Sequence, residues 1–237
     1  MFYEAVCDGK GRIEVVRLND DCTVSEPYIA LERDYHLSYP FVFRYNCEWY
    51  MIPESCAADN VQLFKAKSFP FEWEYVAAIL EKHAVDTTVA EIDGKLLMLT
   101  FLPQAGTENV YPEAYWLTLN KDGTHDIQKL NWMEYDTLVV RGAGKMIKWD
   151  NSVVIRPVQI NRENSYGDGV AFCRVVIGGN AYSEKRISAL LPENVRIKKY
   201  RADGLHTYAV SRKFEVIDVR CQLSDPFKIW RKLRGRK

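Results

Sequence analysis

The sequence predicts an all-β chain, folded as a five-bladed β-propeller, and three observations predict it. Pairs of short apolar strands joined by tight polar turns recur along the chain. The recurrence is unit-like, with turns at residues 46, 93, 150 and 212 separated by 47, 57 and 62 residues. Further short strand candidates fill the gaps, where an α/β chain would have helices.

The units run in order. FYEAVCDGKGRIEVVRL opens the chain as two strands about Asp8-Gly9. FVFRYNCEWYMIPE turns at Asn46, TVAEIDGKLLMLTF at Asp93-Gly94, KMIKWDNSVVIRP at Asp150-Asn151, and HTYAVSRKFEVIDV at Ser211. Asn, Asp and Gly are the residues that tolerate the positive φ angles of tight hairpins. NVQLFKAKSF, AYWLTLNKDG and VAFCRVVIGG each read as the third strand of a unit, and WEYVAAIL as a fourth. EYVAAILEKHA has some helical character, but its aromatics and its place in the repeat favour a strand or a short irregular turn. One such blade cannot bury both of its faces, so blades stack radially and their first strands surround a channel. A β-sandwich is the rival, but it carries no unit-level repeat.

Bulk properties narrow the function. The 237 residues, 47% hydrophobic and 13% aromatic, support a real core and are read as a single domain over 1–237. Lys+Arg and Asp+Glu balance at 32 each, which argues against a nucleic-acid partner. The run KIWRKLRGRK, residues 228–237, reads as a basic solvated tail. Six cysteines show no CxxC pair or Cys/His metal spacing and are read as free thiols. No apolar run approaches the ~20 residues of a membrane span and no signal-like segment opens the chain, so a cytoplasmic location is expected. No metal site, nucleotide cradle or nucleophile elbow is evident, and no cofactor is expected: the GAG of residues 142–144 lies between strands, not at a helix start.

In a propeller, polar residues at the start of each first strand converge at the channel mouth. Glu54 and Asp86 are the carboxylates so placed. Glu54 suits a catalytic acid, an acceptor for sugar hydroxyls or the partner of an arginine, and Asp86 suits catalysis or a turn cap. Arg141 and Arg156, with Gln159, offer donors for a carboxylate or phosphate, or an internal ion pair between blades. His36 and His206 precede strands and suit proton shuttling, sugar contact or a structural bond. Tyr39 and Tyr166 present faces that match the C–H face of a pyranose.

The blocks HLSYPFVFRYNCEWYMIPES, VQLFKAKSFPFEWEYVAAIL and AVDTTVAEIDGKLLML carry a family resemblance. RGAGKMIKWDNSVVIRPVQI, NSYGDGVAF and GLHTYAVSRKFEVID follow in the same order. Together they resemble the N-terminal domain of glucosamine inositolphosphorylceramide transferases and its bacterial relatives. That domain is similar to the five-bladed propellers of glycoside hydrolase family 43. The resemblance implies a carbohydrate-associated propeller that binds a sugar or sugar phosphate in glycan or glycolipid biosynthesis, beside a glycosyltransferase partner. It also implies that Asp86 occupies the place of a supporting Asp that tunes the general acid in the hydrolases. Two departures stand out. The strand that bears the hydrolases' general-base Asp has no match upstream of Phe2, and their general-acid Glu has no clear counterpart. Either the ring is closed by other means, such as the C-terminal strand, or the propeller is incomplete in its first blade. Two alternatives stay open: a family 43-like glycoside hydrolase using Asp86 and Glu54, and a propeller that only holds a protein partner.

Overall fold

The computed structural model describes residues 1–237 except 108, 121, 137–140, 150–152, 162–164, 198–200 and 223–237. The basic tail and the Asp150-Asn151 turn lie outside the described residues.

The described residues form five sheets. The first holds β1 (Phe2–Cys7), β2 (Lys10–Val15) and β3 (Tyr28–Leu31). The second runs in chain order through β4 (Ser38–Tyr45), β5 (Glu48–Glu54), β6 (Val61–Ser68) and β7 (Glu72–Leu80). The third repeats that order in β8 (Val85–Ile92), β9 (Lys95–Pro103), β10 (Val110–Leu119) and β11 (His125–Lys129). In the fourth, β13 (Ile147–Lys148), β14 (Val153–Ile160), β15 (Gly169–Gly178) and β16 (Ala181–Leu190) lie side by side. Its outer edge is β12 (Trp132–Glu134), which pairs parallel to β16. The fifth is the hairpin of β17 (Arg201–Val210) and β18 (Glu215–Gln222).

Each hairpin unit expected from the sequence is an antiparallel pair, and EYVAAILEKHA supplies strand β7. Among the described residues the helical elements are two single turns, Cys56–Ala58 and Pro192–Asn194. Neither is long and apolar enough to cross a membrane. The turn chemistry is that of type I′ hairpins, with φ positive at both central residues. Those angles are 52° and 79° at Asp8-Gly9, 48° and 68° at Asn46-Cys47, and 48° and 76° at Asp93-Gly94. The six cysteines are unpaired.

The core lies between successive sheets. Ile13, Val15 and Leu31 of the first sheet pack with Met51 and Phe64 of the second. Phe41, Ile52 and Leu63 of the second meet Leu96 and Met98 of β9. The other face of β9, with Leu97, Leu99 and Phe101, meets Val154, Val175 and Tyr182 of the fourth sheet. This is strand alternation with both faces buried, so β9 reads as a near-continuous apolar run. Val170 of the fourth sheet packs against Leu205, Ile217 and Val219 of the fifth. The fifth sheet then reaches back to the first, where Lys213 Nζ lies 2.8 Å from Asp20 Oδ1. Among the described residues the first sheet has three strands, the second and third four each, and the fifth two.

Candidate functional site

Three sheets carry the same irregularity in their first strand pair, at its start in two of them and midway along β17 in the third. Ser38 faces Glu54 and Phe41 faces Ile52, so three steps on β4 match two on β5. The β8–β9 pair repeats it, with Val85 opposite Phe101 and Thr88 opposite Leu99. The β17–β18 pair repeats it again, with Leu205 opposite Val219 and Tyr208 opposite Ile217. A bulge of this kind re-aims a side chain out of the ladder. The residue after the first matched position is Tyr39 in one sheet, Asp86 in the next and His206 in the last. Tyr39 and Asp86 have left-handed backbones, with φ of 40° and 51°. Neither is a glycine, and a non-glycine residue in that region marks a constrained site.

The Arg141–Gly144 segment joins these sheets. The backbone N–H of Gly144 donates to the Tyr39 hydroxyl at 2.9 Å, and that of Tyr208 donates to the Ala143 carbonyl at 2.7 Å. A Cβ on Gly142 would sit 2.9 Å from the Tyr39 hydroxyl, and one on Gly144, at φ +139°, would strike the Tyr208 carbonyl oxygen. The GAG run is thus a close-approach joint between sheets. Gln159 Nε2 ties it further by donating to the Gly142 carbonyl at 2.7 Å.

The carboxylates meet at Arg141. Its Nε donates to Asp86 Oδ2 at 2.6 Å, and one terminal nitrogen lies 3.9 Å from Glu54 Oε2. Glu54 Oε2 also accepts from the backbone N–H of Asp86 at 3.1 Å. Asp86 is 2% exposed, and burial pushes its carboxyl up to about 6 against the pull of Arg141. Burial works against the charge of Arg141, but the two carboxylates outweigh it and keep the guanidinium firmly protonated. Burial drives the Tyr39 phenol well above its ordinary range, so it stays neutral.

The outer part of the site is aromatic. The Arg141 guanidinium stands 5.6 Å from the centre of the Tyr166 ring, within cation–π range. The Tyr166 and His206 side chains bond at 2.5 Å between Oη and Nε2, and the residue Tyr166 is 48% exposed.

Seven of the expected site residues therefore come together: Tyr39, Glu54, Asp86, Arg141, Gln159, Tyr166 and His206. Two sit elsewhere. Arg156 is 2% exposed and doubly bonded to Glu184, at 2.8 Å through both Nε and a terminal nitrogen. The Tyr182 hydroxyl donates to the same carboxylate at 2.6 Å. His36 fastens the seam of the first two sheets, accepting from the Gly11 N–H at 3.0 Å and lying 3.1 Å from Glu4 Oε1. Asp218, which sequence reasoning passed over, accepts from the backbone N–H groups of His206 at 2.8 Å and Thr207 at 2.5 Å. Its signal was its place across the hairpin from His206, readable once the bulged register is known.

Solved structures with the same general fold include glycosidases built on β-propellers. A Bombyx mori GH32 β-fructofuranosidase aligns with a TM-score of 0.57 at 13% identity, covering 85% of this chain and 50% of that one. An α-L-arabinofuranosidase from Lactobacillus brevis aligns with a TM-score of 0.57 at 14% identity, covering 93% of this chain and 79% of the other. In sequence, glucosamine inositolphosphorylceramide transferase 1 of Oryza sativa subsp. japonica is 29% identical over 181 residues, 74% of this chain. The Arabidopsis thaliana protein of that name is 41% identical over 86 residues, 36% of this chain. The chain spans far less than these relatives do, since the matches take in 24% and 11% of their lengths. Residues 1–214 match the family model described as "Glucosamine inositolphosphorylceramide transferase 1, N-terminal", and to that family the chain belongs.

Proposed function

We propose that the chain is a five-bladed propeller that binds a sugar, free or phosphorylated, in glycan or glycolipid biosynthesis. The cluster of Glu54, Asp86, Arg141, Tyr166 and His206 is the binding site, and a glycosyltransferase is the partner. The observation that carries the reading is the layering of the site: a carboxylate–arginine floor, with Asp86 buried and Glu54 and Arg141 partly so, beneath the half-exposed Tyr166 and a histidine. Directional donors and acceptors beside an aromatic face are what a polyhydroxylated ring with an apolar C–H face requires. The relatives' name supports the biosynthetic setting.

The test is calorimetric titration with a panel of neutral monosaccharides, amino sugars and sugar phosphates. At least one member binds, and Tyr166→Ala and Arg141→Gln each weaken it roughly tenfold or more, the effect of losing about 1.4 kcal/mol. A panel in which nothing binds, or in which both variants bind like the parent, defeats the reading.

One observation favours a second reading, hydrolysis through Asp86 and Glu54. A carboxyl raised to about 6 sits where a general acid works near neutrality. Against it, both carboxylates lean on one arginine, and Asp86 has little access to a glycosidic oxygen. Chromogenic glycosides decide: turnover by the parent that disappears in Asp86→Asn would favour hydrolysis.

A further inference from the structure

The exposed half of the site contains an aligned set, Asp218, His206 and Tyr166, whose acid–base chemistry neither reading uses. Asp218 Oδ1 holds the backbone N–H groups of His206 and Thr207, and its Oδ2 lies 3.2 Å from His206 Nδ1. Burial disfavours the Asp218 charge, but these hydrogen bonds and His206 outweigh it and hold the carboxyl below its ordinary range. An ionised carboxylate can only accept, so Nδ1 of His206 carries the proton. In the neutral ring Nε2 is then the acceptor, and the Tyr166 hydroxyl donates to it at 2.5 Å. The order is carboxylate, imidazole, hydroxyl: a base oriented by a third group and bonded to a potential nucleophile.

The surroundings fit that role. Burial holds the Tyr166 phenol above its ordinary range, with Arg141 pulling the other way, so the phenol does not ionise unaided and has use for a base. The guanidinium near the ring favours negative charge developing on the oxygen. The backbone around Tyr166 is pinned: Arg220 donates to the Tyr166 carbonyl, Gly167 N–H donates to Asn161 Oδ1 at 2.8 Å, and Leu205 N–H donates to the Gly167 carbonyl at 2.8 Å. The pair is not sealed in the core: Tyr166 is 48% exposed as a residue and the His206 side chain 33% exposed.

We infer that Asp218, His206 and Tyr166 make a base-activated tyrosine, whose phenolic oxygen attacks an electrophilic centre that carries a leaving group. An activated glycosyl carbon is the class this cluster suits, and that part rests on the sugar-binding reading above. In the step, the Tyr166 oxygen bonds to the electrophilic carbon while the bond to the leaving group breaks with its electron pair. The phenolic proton moves to His206 Nε2, and Asp218 stabilises the imidazolium.

The activation is tested without any sugar, using an arylsulfonyl fluoride. Here an O–S bond forms, the S–F bond breaks, fluoride departs and the proton goes to His206. Mass spectrometry compares the labelling rate of Tyr166 with that of Tyr75, which is 50% exposed. Tyr166 is expected to react at least tenfold faster, a modest share of the roughly 10²–10⁴ that positioned bases supply. His206→Gln and Asp218→Asn should each return it to the rate of Tyr75, with circular dichroism checking the fold. Should His206→Gln unfold, the comparison within the parent and the Asp218→Asn arm still decide. Labelling of Tyr166 no faster than Tyr75, or undiminished in a folded variant, overturns the inference. Fast labelling beside an empty sugar panel would keep the activated tyrosine and remove the sugar.

Discussion

Asp86 answers to two opposed forces, and its titration measures the balance. Burial favours the neutral acid and Arg141 favours the carboxylate, leaving the midpoint at about 6. Replacing Arg141 with Gln removes the attraction and keeps the burial, so the Asp86 carboxyl signal in a carbon NMR titration should move to higher pH. A midpoint that fell instead would refute this account. The same shift has a stability consequence. The folded chain holds this proton more tightly than the unfolded one, so the contribution of Asp86 is full below its ordinary value of 3.8 and is lost as pH rises through about 6. Chemical denaturation should show Asp86→Asn losing less stability than the parent over that interval. Arg156 poses a different test. Arg156→Met strands the buried Glu184 carboxylate, and unfolding should register a loss of about 3–5 kcal/mol. The sequence could not separate Arg156 from Arg141, because both precede small or rigid residues in strand-like context. What separates them is Glu184, on a strand 28 residues along. Asp218 was hidden for a related reason: its partner is fixed by register, and register is bent there by a bulge.

At the scale of elements, the hairpins were the legible part. Turn residues and apolar alternation identify the strand pairs directly, since both act over a few residues. Asn46-Cys47 is the turn where sequence and geometry disagree. Cys47 has φ 68° where the equivalent turns carry glycine. Cys47→Gly should therefore stabilise the protein, by about 1 kcal/mol in thermal or denaturant unfolding. Gly144 lies at the opposite extreme. An added methyl meets the Tyr208 carbonyl and a φ of +139° at once, so Gly144→Ala should cost about 2–4 kcal/mol and loosen the joint under Tyr39. Gly94→Ala, with the same φ sign but open space around its Cβ, should cost only about 1 kcal/mol. The bulges at Tyr39, Asp86 and His206 were not legible, because SYPF, VDTT and LHTY share no residue type that announces a bulge.

At the scale of the molecule, successive sheets pack in chain order, and Lys213 of the last hairpin pairs with Asp20 after β2, both well exposed. An exposed pair contributes little, so Lys213→Ala should leave unfolding free energy within about 0.5 kcal/mol of the parent. A larger loss would mean that this contact holds the first and last sheets together. The order of the sheets was readable from the repeat, but the way they meet was not, since it depends on contacts between strands far apart in sequence. The two-faced burial of β9 carries one further consequence. Leu96 and Met98 look one way, Leu97, Leu99 and Phe101 the other, and both sides are apolar. Sliding this strand by one residue would exchange its faces and still present oil to oil, so hydrophobicity alone cannot proofread the alignment. That duty falls to the two-residue turn at Asp93-Gly94, which sets the frame in which Asp86 is read out at the far end of the hairpin.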